Sequence, residues 1–292
     1  MSVARPRAPG APSRRRRAAG DGSAWWVYAV VGLFAVLVAG IFLSAFLNSI
    51  ASTWFGGWLP DAYTTKWYTF AVEEFDLIYV LVVTIVVGVV VTAVSLALGV
   101  PAAYVLARRS FPGRQAFTLL LILPMLVPPI TYGIPLATVL YQTGLGGTLA
   151  GVILANLIPA APFVILVMTP FIEQIDPNLE SAARVFGANT ARMFVHVLVP
   201  LLGPGILAAS LLVLVRTIAL FELTFLTAGP DSQTLVVALY YAVFAAGVRA
   251  PQSVDAMAMI YMVVTLVWLL IALRFVNPTQ LVSRVKEHPQ TA

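Results

Sequence analysis

The side chains that could perform catalysis are few in this chain and widely separated. The two histidines are His196 and His288, and there is no cysteine, so the sequence offers neither a histidine cluster for a metal ion nor a catalytic triad. A phosphate-binding loop needs a lysine followed by serine or threonine, and neither Lys66 nor Lys286 has that context. We therefore predict that the chain makes and breaks no covalent bond and needs no cofactor of its own; any ATP would be bound by a separate subunit.

Two charged residues, Arg216 and Glu222, stand in an otherwise apolar stretch. A charge at the centre of a bilayer costs roughly 2.5–3.5 kcal/mol, so such residues usually face the interior of a helix bundle or a water-filled path. In one continuous helix they would lie about 120° apart, so at least one would need a partner elsewhere. We interpret both as candidate residues of a polar path through the membrane, Glu222 foremost. Pairing with polar groups on another helix or on a second subunit is the alternative.

Three uncharged polar residues, Tyr132, Gln142 and Asn156, also lie within apolar stretches. We expect each to make an ordinary hydrogen bond between neighbouring helices, which is a frequent use of such residues in membranes. The alternative is that they contribute polar atoms to the same path, for which Tyr132 and Asn156 are the candidates.

A polar, amphipathic segment interrupts the apolar sequence at 176–200. Leu179, Ala182, Ala183 and Phe186 follow the spacing i, i+3, i+4, i+7, which predicts that they line one face of a short helix. A short amphipathic helix between two apolar spans is typical of a compact docking surface at a membrane boundary. The alternative is an ordinary loop that contains amphipathic helices.

The ends of this helix are marked by residues suited to them. Asp176 can cap the N-terminus, Pro177 suits the first helical position, and Gly187 suits the left-handed residue just past the end. Asn189 or Thr190 can then begin a second short helix that runs towards residue 200. The pattern predicts a helix, a glycine turn and a second helix.

Composition places the rest of the chain in a membrane. Hydrophobic residues make up 60% of the chain and charged residues 10%, whereas soluble domains carry about 25% charged residues. Runs of about 20 apolar residues predict six spans, near Trp25–Phe46, Leu77–Ala107, Phe117–Tyr141, Thr148–Phe171, Leu201–Ala228 and Val254–Phe275. The fold class that follows is an all-α membrane protein with six transmembrane helices.

Two apolar stretches are not expected to form straight transmembrane helices. The third predicted span contains Pro124, Pro128, Pro129 and Pro135, so we expect it to be broken or kinked. The apolar stretch at 234–248 is too short to cross a bilayer. We predict that it is a re-entrant or interfacial helix on the side opposite to segment 176–200.

The distribution of lysine and arginine predicts the orientation. If the N-terminus is cytoplasmic, the tail, the second loop, segment 176–200 and the C-terminal end carry six, three, two and three basic residues, fourteen of the seventeen in the chain. Both termini and segment 176–200 are then cytoplasmic. The loop at 48–76 is outside, and it contains the acidic residues Asp61, Glu73, Glu74 and Asp76.

Four regions result from these boundaries. Residues 1–24 form a basic tail that we expect to be disordered and to hold the first span with its N-terminus in the cytoplasm; binding of anionic lipid or nucleic acid is the alternative. Residues 25–76 hold the first span and the outer loop. Residues 77–276 form the transmembrane core, with segment 173–200 inside it, and residues 277–292 form a cytoplasmic tail.

Segment 176–200 resembles the cytoplasmic coupling motif of permease subunits of ATP-binding-cassette (ABC) importers, E-A-A, three residues, G, nine residues, I-x-L-P. Ser181, Ala182 and Ala183 occupy the E-A-A positions and Gly187 the glycine position, and Pro200 ends the motif. Two departures stand out. Serine replaces the glutamate, with Glu180 one residue earlier, and valines occupy the isoleucine and leucine positions. By this resemblance Glu180, Ser181, Ala182, Ala183, Phe186, Gly187 and Pro200 are the residues that couple to an ATPase.

Two further segments point to one subgroup of these importers. The proline-rich sequence at 122–136 is similar to the third span of spermidine/putrescine and iron(III) importers. The sequence Glu222-Leu223-Thr224, followed by Ala228-Gly229-Pro230, is similar to a segment of iron(III)-type permeases. The resemblance therefore favours a polyamine-like substrate, with iron(III) or another small organic solute as the alternative.

The resemblance implies a MetI-like permease fold in the bacterial inner membrane. It implies as partners two ABC ATPase subunits, a second permease that is an identical copy or a paralogue, an extracytoplasmic solute-binding protein and membrane lipid, and no nucleic acid. The chain would be a transport subunit and not an enzyme. A secondary transporter is the competing class, but it would not explain the amphipathic cytoplasmic helix and would usually show inverted repeats or paired broken helices.

Overall fold

The computed structural model describes residues 24–54, 57–244 and 250–275, and every regular element in these ranges is helical. Two isolated β-bridges join Ala51 to Tyr63 and Gly147 to Ala228. In chain order the helices are α1 (Ala24–Ser49), α2 (Lys66–Glu74), α3 (Leu77–Arg108), α4 (Arg114–Leu126), α5 (Pro129–Gln142), α6 (Leu149–Glu173), α7 (Pro177–Val185), α8 (Thr190–Met193), a π-helical turn (Phe194–Leu198), α9 (Val199–Leu201), α10 (Gly203–Ala219), α11 (Glu222–Thr227), a 3₁₀ turn (Pro230–Ser232), α12 (Leu235–Phe244) and α13 (Pro251–Phe275).

The chain divides into two compact units, residues 1–44 and 45–292. The described part of the first unit is the greater part of α1, whose apolar side chains are exposed on all sides; Phe34 and Ile41, for example, are 67% and 70% exposed. A helix of this length that is apolar all round is suited to a lipid environment.

In the second unit, α3, α6 and α10 form the centre of the bundle. Val87 and Val91 of α3, Val164 and Met168 of α6 and Val213 of α10 are each at most 1% exposed and belong to one continuous core. The contacts between these helices are apolar along most of their length. They hold together the two ends of this unit, at which polar residues gather.

Glycine allows α3 to approach its neighbours closely. A Cβ atom at Gly99 would lie 2.6 Å from Val164 Cγ1 of α6, and one at Gly88 would lie 2.9 Å from Leu214 Cδ1 of α10. Small residues at such contacts let helix backbones come close in membranes. The packing of the central helices therefore depends on these two positions.

Four helices are by themselves long and apolar enough to cross a membrane, namely α1, α3, α6 and α13. Two bent helix pairs bring the total to six if each pair forms one span. The all-helical class with up to six spans is confirmed, with four of the predicted spans matching single helices.

The predicted break in the third span is confirmed. Its two halves, α4 and α5, are bent by 95°. Val127 and Pro128 between them have extended backbones, with ψ near 133° and 131°. Pro128 and Pro129 cannot donate backbone hydrogen bonds, and a residue that precedes proline is pushed out of the helical region. The sequence therefore forces a new helix to begin at Pro129.

The predicted fifth span, Leu201–Ala228, is wrong as a single helix. α10 ends at Ala219, Leu220 is extended with ψ 106°, and α11 begins at Glu222. No glycine or proline signals this break; instead, the Phe221 ring packs 5.0 Å from the rings of both Phe225 and Tyr240. The helical angle of 120° predicted between Arg216 and Glu222 does not apply, because they lie on different helices.

Short helices and loops pack together at one end of the second unit. Within the predicted outer loop, α2 packs against α13, and Trp67 Nε1 donates a hydrogen bond of 2.6 Å to the carbonyl of Ala51. The Ser49 and Tyr68 hydroxyls are 2.8 Å apart. The short apolar helix α12 lies between α3 and α13, and its interfacial or re-entrant placement stays a prediction.

The predicted tails lie outside the described residues. These are the basic segment 1–24, apart from Ala24 at the start of α1, and the segment 277–292.

Candidate functional site

The first short helix of segment 176–200 begins as its sequence predicts. Asp176 is the N-cap of α7, and its side chain accepts a hydrogen bond of 2.9 Å from the backbone N–H of Asn178. Pro177 occupies the first helical position, where no backbone donor is needed. The start of α7 is therefore specified locally.

The end of α7 is a left-handed glycine turn. Gly187 has φ +85°, and its N–H donates to the carbonyl of Arg184 at 2.9 Å, while the N–H of Ala188 donates to the carbonyl of Ala183 at 3.0 Å. These two hydrogen bonds form a Schellman motif. A Cβ atom at Gly187 would meet nothing within 4 Å, so the backbone angle and not the space requires glycine here.

The second short helix is anchored in the core. Asn189 caps α8 by accepting a hydrogen bond of 2.8 Å from the N–H of Arg192, which confirms the predicted start. Met193 and Leu198 are fully buried in the same core as α3 and α6. Pro200 lacks a donor and crowds the carbonyl of His196, which accounts for the π-helical turn before it. The pair formed by residues 190–201 and α10 is bent by 75°.

The helices α7, α8 and the turn between them, residues 177–193, form a projection that we call the knob. Its outer surface carries three large apolar side chains: Leu179, Val185 and Phe186 are 46%, 84% and 91% exposed. Exposed apolar groups that lie together mark interaction surfaces. The knob therefore presents an apolar surface that the described chain itself leaves uncovered.

The predicted coupling residues divide between two sides of the knob. Ser181, Ala182 and Phe186 are exposed, and Ser181 Oγ donates a long hydrogen bond of 3.3 Å to the carbonyl of Pro177. Ala183 is half-buried and packs against the bundle core. Of the four residues predicted to line one face of this helix, Ala183 packs towards the bundle while Leu179, Ala182 and Phe186 are exposed.

Glu180 faces inward and is 5% exposed. Its Oε2 accepts a hydrogen bond of 2.8 Å from the Tyr104 hydroxyl, and its Oε1 accepts one of 2.7 Å from Arg108 Nε. Arg108 also donates through Nη2 to the carbonyl of Ile175 at 2.6 Å, and Arg184 Nη2 lies 4.0 Å from Glu180 Oε2. Glu180 thus joins the knob to the end of α3.

Sequence reasoning missed Tyr104 and Arg108 as parts of this site. Arg108 contributes to the sequence analysis only as a basic residue that predicts orientation, and Tyr104 lies within a predicted apolar span. The sequence does contain one indication that Arg108 belongs to a site. It ends a helix of 32 residues that contains no other charged residue. Such a residue needs a partner when it lies at the edge of a packed core.

The polar residues within the apolar helices form a second group. Asn156 of α6 is 1% exposed, and its Nδ2 donates to the carbonyl of Val152 at 2.9 Å and to Thr224 Oγ1 of α11 at 3.2 Å. Within the described ranges, Asn156 Oδ1 and the Tyr132 hydroxyl are buried without a hydrogen-bond partner. Asn156 therefore joins two helices and also leaves one polar atom unsatisfied.

Arg216 and Glu222 occupy the two ends that meet at the helix break. Arg216 lies in the last turn of α10 and Glu222 in the first turn of α11, where the helix dipoles favour a cation and an anion respectively. The Arg216 guanidinium stands 5.2 Å from the centre of the Phe163 ring. None of the ion pairs between described residues joins Arg216 to Glu222.

The structure brings Arg216 and Asn156 together on one small cavity. Its other polar lining residue is Thr217, and the remainder of its wall is apolar. Neither Glu222 nor Tyr132 lines this cavity. Among the described residues there is no group of three or more histidines and carboxylates that could hold a metal ion.

Most of this helical core matches the model of one known protein family. Residues 95–286 match the family model described as "Binding-protein-dependent transport system inner membrane component". The matched region begins within α3 and contains the knob, the helix break and α13.

Two curated relatives are similar to the chain over about half of its length. It is 33% identical over 175 residues to a probable molybdenum ABC transporter permease protein of Haloferax volcanii, over 57% of this chain and 65% of the relative. It is 34% identical over 135 residues to the trehalose transport system permease protein SugB of Mycobacterium tuberculosis, over 46% of this chain and 49% of the relative. The chain thus spans less than two thirds of each of these relatives.

The solved structures that resemble this chain share its fold. A bacterial ABC transporter involved in the import of the acidic polysaccharide alginate has a TM-score of 0.73 at 20% identity, over 87% of this chain and 98% of that chain. The bacterial alginate transporter in complex with an alginate pentasaccharide-bound periplasmic protein has a TM-score of 0.65 at 17% identity, over 90% of this chain and 96% of that chain.

Proposed function

Because the chain belongs to the family of binding-protein-dependent transport system inner membrane components, we propose that it is a permease subunit of a type I ABC importer. In this role it forms part of a path through the inner membrane for a small solute that an external binding protein delivers. A separate ATPase supplies the energy. The observation that carries the proposal is the exposed apolar surface of the knob, held on a helix that is fixed to the bundle.

The ATPase is the partner that we propose for the knob. Phe186 and Val185 project from a helix whose two ends are fixed by Asp176 and Gly187, so the surface is preorganised for a groove in another protein. When ATP binding closes an ATPase dimer, the groove moves and carries the knob with it. Glu180 passes this motion to α3, which packs against α6 and α10, and the bundle turns between inward-open and outward-open states.

The remaining partners follow from the same assignment. We propose that a second permease, identical or paralogous, completes the path, and that an extracytoplasmic solute-binding protein docks on the outer side. The structural relative that contains an alginate-loaded periplasmic protein supports the last of these. Membrane lipid surrounds the apolar helices, and we propose no contact with nucleic acid.

We propose a multi-pass location in the bacterial inner membrane with both termini and the knob in the cytoplasm. The distribution of basic residues supports this orientation, since fourteen of seventeen fall on one side. The chain acts as a transport component without its own ATPase site, and the context of its two lysines supports that proposal.

The relatives do not support the polyamine or iron(III) subgroup. They are named for molybdenum and for trehalose, which are an oxyanion-forming metal and a neutral sugar. A polyamine-like substrate stays a prediction from the two sequence segments, and iron(III) or another small organic solute stays its alternative. The residues proposed for the path are Tyr132, Asn156, Arg216 and Glu222.

A secondary transporter is the second candidate function, and co-purification separates the two. With an affinity tag on this chain, an ABC ATPase subunit from the same cells should co-purify. Phe186→Asp should weaken that association by at least about tenfold, because burial of a phenylalanine contributes roughly 1.5–3 kcal/mol.

Trp58→Asp is the matched control, since Trp58 is 98% exposed and lies in the loop proposed to be outside. It should leave the association unchanged while Phe186→Asp reaches the membrane in normal amount. Solute uptake without any bound ATPase, or full association of Phe186→Asp, would contradict the proposed function.

A further inference from the structure

Arg216 is a cation for which the described part of the chain provides no counter-charge. The ion pairs among those residues join Arg108 to Glu180, Arg114 to Glu173 and Arg184 to Glu180. The Arg216 guanidinium stands over the face of the Phe163 ring and lies at the C-terminal end of its own helix. Both are weak substitutes for an anion. A cation retained among apolar helices in this way usually serves a path or a ligand.

One residue that lines the cavity beside Arg216 also has an unsatisfied acceptor. Asn156 lines it, is 1% exposed, and has no hydrogen-bond partner for Oδ1 in the described ranges. The orientation of this amide is fixed, because Nδ2 donates to the carbonyl of Val152 and an exchanged amide would place two acceptors together. Buried polar atoms without partners are rare. An unpaired cation and an unpaired acceptor on residues that line one cavity point to a ligand that supplies both a negative charge and a hydrogen-bond donor.

The charge of the cavity is positive. Glu222, the nearest carboxylate in sequence, does not line it and makes no ion pair with Arg216 in the structure described. The ligand that suits a guanidinium beside apolar walls is an oxyanion, because two of its oxygens can accept parallel hydrogen bonds from the guanidinium. A proton or a water molecule carried by the oxyanion supplies the donor that Asn156 Oδ1 lacks.

We propose that Arg216 and Asn156 form an intramembrane binding site for an oxyanionic group of the transported solute. This inference rests on the proposed function, since it places the site on the path of an importer. The cavity is small in this structure, so an oxyanion enters it when α6 and α10 move apart during transport. The site would favour solutes that carry an oxyanion over neutral sugars, and it argues against the polyamine-like substrate that the two sequence segments predict.

The absence of cysteine from the chain allows a direct test of the charge in this cavity. Leu220 lines it and is half-buried at the helix break, so Leu220→Cys places a thiol beside Arg216. Membranes that contain the transporter with this variant are treated with two methanethiosulfonates, one carrying a sulfonate and one a trimethylammonium group. Each rate is divided by the rate of the same reagent with a small free thiol.

The normalised rate should favour the sulfonate reagent by about fivefold or more, because a unit charge a few ångströms away changes the local concentration of ions by this order. Arg216→Gln should remove the preference, and sulfate added at millimolar concentration should slow the reaction only when Arg216 is present. Arg114→Gln removes a charge that lies outside the cavity, in an exposed pair, and should leave the preference unchanged.

Equal rates, a preference for the cationic reagent, or no reaction with either reagent would overturn the proposal. A preference that survives Arg216→Gln would show that Arg216 is not the charge that attracts the sulfonate reagent and would also overturn the proposal. A failure of that variant to assemble with a second permease would show that Arg216 has a structural role. Thr217→Cys, which lines the same cavity, replaces Leu220→Cys if the latter does not assemble. The labelling needs no bound ATPase, so its outcome is separate from that of Phe186→Asp.

Discussion

At the scale of single residues, Glu180 determines how the knob is held. Its side chain and that of Arg108 are 7% and 13% exposed, and each oxygen of the carboxylate accepts a hydrogen bond from α3. Charge-assisted hydrogen bonds in such a setting are strong, and removal of one partner leaves the other charge buried and unpaired. By contrast, the pair Arg114–Glu173 is 3.4 Å long and about half exposed and contributes little.

Glu180→Gln should separate ATP hydrolysis from transport. The change leaves Arg108 without its counter-charge, at a cost of about 3 kcal/mol, and loosens α7 from α3 without altering the outer apolar surface. We expect the reconstituted complex to retain its ATPase subunits and to hydrolyse ATP, while uptake per ATP falls several-fold.

Glu173→Gln is the matched control for this variant, because it removes the same charge from an exposed pair. It should transport at the normal rate. If Glu180→Gln transports with unchanged stoichiometry, the connection to α3 does not transmit the motion.

Glu222→Gln distinguishes a residue of the path from a structural partner. If Glu222 lines the path, the variant should assemble normally and show altered uptake or altered coupling. If it neutralises a buried cation of another subunit, assembly should fall, because breaking a buried pair costs about 3–5 kcal/mol. Assembly and uptake are measured on the same preparation, and normal values for both would remove Glu222 from the site.

At the scale of elements, the knob is two short helices that neither length nor propensity would stabilise alone. α7 has nine residues and α8 has four, whereas isolated helices shorter than about 12–15 residues are marginal in water. Their stability comes from the caps at Asp176 and Asn189, from the turn at Gly187, and from the buried side chains Met193 and Leu198. The glycine turn sets the angle between an exposed helix and an anchored one.

Gly187→Val should abolish transport without preventing membrane insertion. A β-branched residue at φ +85° is strained by about 1–2 kcal/mol or more, so the two Schellman hydrogen bonds open and the apolar surface loses its fixed orientation. ATPase association, measured by co-purification, should fall together with uptake.

Gly187→Asn is the matched variant for backbone conformation. Asparagine tolerates left-handed angles better than other residues with a Cβ, and a Cβ here meets no neighbour. It should retain most of the association. Equal loss in both variants would mean that the surface itself requires glycine, and normal activity of Gly187→Val would contradict the role of the turn.

At the scale of the whole molecule, the polar residues of the bundle lie in three separate places. The knob and its anchor lie at one end of the bundle, the unsatisfied polar atoms lie in its interior, and α2 with its acidic neighbours lies at the other end. Apolar contacts between α3, α6 and α10 connect these three places. A movement imposed on one end is therefore carried to the other through rigid helices that pack closely.

The orientation can be tested with cysteines at exposed positions at the two ends. Thr53→Cys, in the loop after α1, should react in intact cells with a thiol reagent that does not cross membranes. Ser181→Cys, on the knob, should react only after the cells are opened. Both native residues are exposed, so the contrast reports the side of the membrane. The opposite pattern of labelling would overturn the proposed topology.

The sequence by itself determined the features that depend on local chemistry. The caps of the knob, the break at Pro128–Pro129 and the apolar lengths of α1, α3, α6 and α13 follow from residue type and spacing, because backbone angles and hydrophobic length are properties of short segments. Only the tertiary structure decided the inward position of Glu180, the break at Leu220 and the meeting of Arg216 with Asn156. These depend on contacts between helices far apart in the chain. Glu180 turns inward because Tyr104 and Arg108 offer it hydrogen bonds, and just beyond the end of α10 the Phe221 ring packs against Tyr240 of α12.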